Sequence, residues 1–157
     1  MKLSGWMSDD GIGLDAEART REEALAALAD IAVRAGAVAP EGRGALIEAL
    51  EKREQLASTA LEKGSAVPHA YLDLVKREFV ALLRTRAPVP FGPAGKPGTD
   101  LFLLVTGPSR KAAEHLQILA RAARLLRGDA FLARLRSAKA PGDVLAAFRE
   151  GEALTRG

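Results

Sequence analysis

The residues in this chain best suited to chemistry are its two histidines, His69 and His115. His69 closes the segment Gly64-Ser65-Ala66-Val67-Pro68-His69. Small residues open the segment, and a proline stands next to the imidazole. Proline locks its own φ and drives Val67 toward extended backbone. His69 is therefore expected to leave a strand or extended loop on a rigid backbone, its ring left uncovered by the small residues before it. A neutral imidazole is a good nucleophile near pH 7 and carries a transferable group. His115 lies in Ala113-Glu114-His115-Leu116-Gln117, early in an expected helix. If that helix starts near Ser109 to Ala112, its free amides and positive dipole end favour an anion beside His115. Two histidines on different elements can converge on one phosphoryl group. Each also has a plain reading, His69 as a structural histidine beside proline and His115 as a helix-surface or capping residue. Arg53 reads either as a solvated charge near a helix C-terminus or as a guanidinium clamp for phosphate. Spacing alone does not choose between the two.

Other chemistries are poorly supported. The chain has 157 residues and no cysteine, which excludes disulfides, thiolate catalysis and cysteine-based metal sites and is compatible with a reducing cytoplasm. Two histidines without a nearby pair of carboxylates make a weak metal site, so neither a metal nor another cofactor is expected. Gly92, Gly95 and Gly98 precede no lysine–serine or lysine–threonine pair, and Gly11-Ile12-Gly13 lacks the rest of a dinucleotide fingerprint. Ser58, Ser65 and Ser109 show no nucleophile-elbow pattern. Arginines cluster at Arg121, Arg124, Arg127, Arg134 and Arg136, but 20 acidic residues stand against 23 Lys and Arg, and the cluster reads as a solvated face rather than a nucleic-acid surface. No window approaches transmembrane length, and Met1 to Met7 lacks the apolar core of a signal peptide.

The elements that must position these side chains follow from periodicity. Leu3, Trp6 and Met7 suit one helical turn that buries the only tryptophan, and Ile12-Gly13-Leu14 reads as a short strand. Thr20-Arg21-Glu22-Glu23 is a capping box. It opens a helix with Leu25, Leu28, Ile31 and Ala32 on one face, which ends near Gly36. A second helix carries Leu46, Ile47, Leu50 and Arg53 and stops before Ser58-Thr59. Glu78 to Leu83 has strand length, and 87–98 is a proline- and glycine-dense loop. Asp100 to Thr106 is apolar on both faces, as a central strand is. Ser109 is placed to cap the next helix, whose expected inward stripe is Leu116, Leu119, Ala120, Ala123 and Leu126. A short helix with Phe131, Leu132 and Leu135 follows, then a last one with Pro141 in its first turn and Val144, Leu145 and Phe148 inward. Helices alternate with a few strands, so the class is α/β, and the length fits one domain over residues 1–157, with 1–15 packed upon it.

With these motifs in place, nearly the whole chain resembles enzyme IIA of the fructose, mannitol and nitrogen-regulatory class of the bacterial phosphotransferase system. The opening, Lys2-Leu3-Ser4 to Ile12-Gly13-Leu14-Asp15 and Thr20 to Leu25, resembles the nitrogen-regulatory branch most. Arg53-Glu54, Ser58-Thr59 and Ala66-Val67-Pro68-His69-Ala70 resemble the active-site segment. Asp100 to Leu104 and Glu114 to Ala120 resemble the central strand and the helix after it. The Pro-His and His-Leu-Gln elements at this separation are specific together. The resemblance implies that His69 accepts a phosphoryl group from the phosphocarrier protein HPr, that His115 stabilises it and that Arg53 lies near it. It also implies a mixed β-sheet covered by helices on both faces, a cytoplasmic protein, and an output to an EIIB component or a regulatory target protein. No fused sugar-binding or membrane domain is expected.

Two departures stand out. The loop before the histidine usually reads Gly-x-Gly-x-Gly, and here Ala60 and Glu62 replace the first two glycines. An arginine commonly follows the histidine by two residues, and here that position is Tyr71. These changes give weight to an alternative reading, a non-catalytic regulatory module that keeps the fold and binds a partner through the same surface.

Overall fold

A computed structural model describes residues 2–109 and 112–154. Its strands are β1 (Ile12–Ala16), β2 (Ser65–Ala66), β3 (His69–Tyr71), β4 (Phe79–Val89) and β5 (Thr99–Gly107). Its helices are α1 (Arg21–Arg34), α2 (Arg43–Leu56), α3 (Ala112–Leu125), α4 (Asp129–Ser137) and α5 (Pro141–Leu154). The sheet runs β1-β4-β5-β2, with β3 also paired to β5. β4 and β5 are antiparallel, and the other pairings are parallel, so the sheet is mixed.

Alternation along the two middle strands divides the core. Val80, Leu82, Leu101, Leu103 and Val105 face α3, α4 and α5, while Ala81, Leu83, Phe102 and Leu104 face α1 and α2. Because side chains on a strand point to opposite faces in turn, a run apolar at every position is buried twice. β5 is central, as its composition predicts, and helices cover both faces. No helix among the described residues is long and apolar enough to cross a membrane.

The first helix starts as its capping box requires. Thr20 Oγ1 accepts from the Glu23 amide at 3.1 Å, and the Glu23 carboxylate reaches back to the Arg19 amide at 3.4 Å. Thr20→Ala is expected to cost about 1 kcal/mol of unfolding free energy, measured by urea denaturation; Thr20→Ser should restore most of it. The opening residues form one turn of 3-10 helix, Leu3–Trp6, in which Leu3 is buried and Trp6 packs half-covered on the core. That turn has an unforeseen partner. Glu152 of α5, 3% exposed, accepts from the amides of Leu3 at 2.7 Å and Ser4 at 2.9 Å.

Two expectations need correction. The inward stripe of α3 is His115, Ile118, Ala122 and Leu125; of the expected stripe, Leu126 just beyond the helix is buried and Leu119 packs half-buried on the core, but Leu116 is 70% exposed. Both sets have helical spacing. Counting apolar residues alone missed the true face because its first position is a buried histidine. Second, β4 continues through Ala87 and Pro88 to Val89, residues whose composition predicts loop. The pairing with β5 shifts between Arg84 and Val89, which is where a strand tolerates proline. The expected cap at Ser109 bears on residues 110–111, outside the described ones; the Ser109 hydroxyl donates to Asp73 Oδ1.

Candidate functional site

The segment leading to His69 is built from the end of α2. Glu54, in the last turn, is buried, and its carboxylate accepts from the amide of Thr59 at 3.0 Å and from the Thr59 hydroxyl. Thr59 in turn takes the Val67 amide at 3.1 Å, and Leu61 donates to Ser65 O at 2.7 Å. The chain thereby folds back on itself between 59 and 67, and β2 enters the sheet beside β5.

The turn is made at Lys63 and Gly64, both left-handed with φ of 64° and 80°. The positive φ favours glycine at 64, and a Cβ there would lie 2.8 Å from Arg136 Nη2 and 3.1 Å from Asp100 Oδ1, so those side-chain ends would have to shift. Among the described residues the only other left-handed non-glycine is Asp15, so Ala60 and Glu62 have ordinary backbone angles. The two lost glycines therefore leave no strain behind. Lys63 binds Asp129 at 2.8 Å and Arg127 O at 2.9 Å, and Arg136 grips Asp100 through two nitrogens at 2.9 and 3.1 Å.

His69 is the first residue of β3 and half-buried. Its Nδ1 lies 2.8 Å from Val67 O. A carbonyl only accepts, so Nδ1 carries the proton and the lone pair is on Nε2. Arg53 Nε donates to that Nε2 at 3.1 Å, while Arg53 Nη1 donates to Ala57 O at 2.8 Å beyond the end of α2. Burial is the main cause that lowers the His69 pKa from its ordinary 6.5, and the Arg53 charge adds to it against the Val67 carbonyl and Glu54. The ring thus stays neutral, and nucleophilic, to lower pH than a free imidazole.

This has a measurable sign. The midpoint of His69 in an NMR titration is expected below 6.5, and Arg53→Ala should raise it by removing a like charge. Below pH 6.5 the unfolded chain binds the proton that the folded ring resists. Stability therefore falls as pH drops from 6.5 through the folded midpoint. A midpoint at or above the ordinary value would defeat the assignment.

His115 reaches the same region by another route. It is the fourth residue of α3, its side chain 6% exposed, and its Nε2 lies 3.1 Å from Glu78 Oε1. Its ring stacks on Tyr71 with centroids 3.5 Å apart and planes 5° apart. Tyr71 follows His69 by two residues on β3, which puts both on one face of the strand. Their ring centroids are 6.5 Å apart. Burial, reinforced by Glu78, pushes the Tyr71 hydroxyl pKa up, so it remains a neutral donor. Of the residues singled out from sequence, Arg53 and His69 are in direct contact, and His115 is linked to them through Tyr71. Glu54, Tyr71 as a stacking partner and Glu78 were not foreseen. Glu78, which the sequence suggests as the first residue of a strand, immediately precedes β4.

The arrangement offers an imidazole with its lone pair on Nε2, a guanidinium against that lone pair, and a second imidazole linked to it through Tyr71. Comparison with known proteins places nearly the whole chain in a family. A model of the family described as phosphoenolpyruvate-dependent sugar phosphotransferase system, EIIA 2, matches residues 6–151. A nitrogen regulatory protein of Bradyrhizobium diazoefficiens is 34% identical over 113 residues, 72% of this chain and 74% of that protein. The crystal structure of nitrogen regulatory protein IIA-Ntr from Neisseria meningitidis superposes with a TM-score of 0.84 at 25% identity, over 93% of this chain and 98% of that one. The enzyme IIA of an Escherichia coli complex of enzyme IIAMTL with phosphorylated enzyme IIBMTL shares the fold, with a TM-score of 0.77 at 24% identity over 92% and 97% of the two chains.

Proposed function

The chain belongs to the EIIA 2 family of the phosphoenolpyruvate-dependent sugar phosphotransferase system, and from that premise we propose that it is a phosphoryl carrier that accepts its group on His69 Nε2. The observation that carries this reading is the pair of contacts on His69. Val67 O takes the Nδ1 proton at 2.8 Å, which leaves a lone pair on Nε2 beside the Arg53 guanidinium at 3.1 Å.

In the transfer, the Nε2 lone pair forms a bond to phosphorus while the bond from phosphorus to the donor's leaving atom breaks, and that pair stays with the donor. Arg53 releases Nε2 as the phosphorus arrives and its N–H groups turn to the phosphoryl oxygens, where planar donors match the geometry. Charge on the moving group is spread over its oxygens, so catalysis is largely positioning and electrostatic stabilisation. His115, when both of its ring nitrogens carry protons, contributes a donor from the α3 side. The fixed Nδ1–H···O=C bond means that the ring needs no tautomer change before it attacks.

The donor is an HPr-like phosphocarrier. The likeness to nitrogen regulatory proteins favours a regulatory target as the output, and an EIIB component is the other acceptor this chemistry suits. A cytoplasmic location follows from partners of this kind. Incubation with enzyme I, HPr and labelled phosphoenolpyruvate tests the reading: the chain should take up one acid-labile phosphoryl group. No uptake from any phosphocarrier would leave only partner binding as the role of this face.

A further inference from the structure

The fold makes room for the Glu78 carboxylate at a close approach of backbone. The carboxylate lies over the bare Cα of Gly107, where a Cβ would meet Oε2 at 2.4 Å and Cδ at 2.7 Å. Oε1 is 3.1 Å from His115 Nε2, and Oε2 is buried with no partner among the described residues. The Tyr71 hydroxyl, in the same cluster, is likewise buried and unpartnered. An orphaned buried carboxylate oxygen is costly and rare, so a carboxylate kept there at such cost points to a role beyond packing. The His115 ring has its plane set by the stack on Tyr71. What remains free is rotation within that plane and the choice of which nitrogen holds the proton. A carboxylate on Nε2 removes both freedoms.

We infer that Glu78 is the positioning residue of His115: its carboxylate holds the ring as the Nε2–H tautomer and leaves Nδ1 as the nitrogen that meets a phosphoryl group on His69. Among the described residues Nδ1 has no hydrogen-bond partner of its own. With one proton on the ring, Nδ1 is only an acceptor and repels a phosphoryl oxygen. Nδ1 donates to that oxygen only in the doubly protonated ring, in which Nε2–H stays on Glu78 and the carboxylate offsets the ring's charge. No covalent bond other than N–H changes. The inference rests on phosphoryl acceptance at His69 for its function, though not for its geometry.

Two readouts test it. In nitrogen-15 NMR of the whole chain, His115 should show its proton on Nε2, and Glu78→Gln, whose amide presents either an acceptor or a donor, should yield a mixture of tautomers. In the labelling reaction, Glu78→Gln should slow uptake by about ten-fold, the scale of one lost charge-assisted hydrogen bond. The same substitution on a His115→Ala background should slow it no further, because Glu78 acts through the ring. An Nδ1–H tautomer in the unaltered chain overturns the inference. So does slowing of equal size in both backgrounds, which a merely structural role would give. A chain that takes no label at all defeats the phosphoryl reading instead, and the NMR result then still decides the tautomer.

Discussion

Replacing His69 with alanine is expected to reduce phosphoryl uptake to background while leaving the fold intact. The chain's only other histidine is a poor substitute. His115 is 6% exposed at the side chain and has Nε2 engaged by Glu78, so it has no free approach to a donor protein. The loss is total because the acceptor atom itself is gone, not because a barrier has risen. The fold survives because His69 contributes only its bonds to Val67 O and Arg53, neither fully buried, at a net worth of about 1 kcal/mol each. Far-ultraviolet circular dichroism and the urea midpoint should therefore move little. Arg53→Ala makes the contrast, since it keeps the acceptor and should only slow uptake. Full labelling of the His69→Ala chain would sink the assignment.

The largest effect on stability is expected at Arg84, 9% exposed in the middle of β4. Its Nη1 donates to Leu135 O at 2.9 Å, Arg136 O at 3.2 Å and Ala138 O at 2.7 Å. Its Nη2 donates to Asp15 Oδ1 at 3.1 Å. One guanidinium thus satisfies the free carbonyls at the end of α4, places a positive charge at the negative pole of that helix, and fastens it to β1. Arg84→Met keeps the apolar stem but strands those carbonyls in the interior. An unpaired buried acceptor costs about 1–3 kcal/mol, and the bonds here are charge-assisted, so a loss of about 3 kcal/mol is expected. In a chain of this size that lowers Tm by about 6–12 °C. Arg84→Lys, one point charge without the fork, should recover only part. A change below about 1 kcal/mol in Arg84→Met would show that water replaces the guanidinium.

Arg84 also marks where sequence reading stops. The cap of α1 was legible because Thr20 and Glu23 need nothing beyond their own four residues. β5 was legible because a strand covered on both faces is apolar throughout. Arg84 and Glu152 were not, since a buried charge is tolerated only by partners 51 and 149 residues away, which no local pattern records. The phase of α3 failed for the same reason: His115 is inward only because Glu78 and Tyr71 receive it. At the candidate site, His69 and Arg53 stood out by residue type, resemblance joined them in one site, and the structure puts them in contact. Tyr71 and Glu78 were invisible as a pair with His115 because the β3–β5 register and the packing of α3, not spacing, bring them together. The altered loop gave the opposite lesson. The missing glycines suggested a reshaped segment, yet Ala60 and Glu62 adopt ordinary angles and the left-handed turn falls on Lys63 and Gly64.

The grip of Glu152 on the amides of Leu3 and Ser4 makes the backbone almost a closed ring. A ring can be opened elsewhere. The exposed stretch between β4 and β5, residues 93–97, carries glycine and proline and only one backbone bond of its own, from Lys96 to Pro93. A circular permutant joined across the ends and cut there would keep every strand pairing, as cuts at exposed loop tips commonly allow. Its order of assembly would nevertheless invert. The β4–β5 pairing, joined in the natural order by a short loop, would span the whole chain, and loop closure for the centre of the sheet would come last rather than first. The permutant should reach the same fold more slowly.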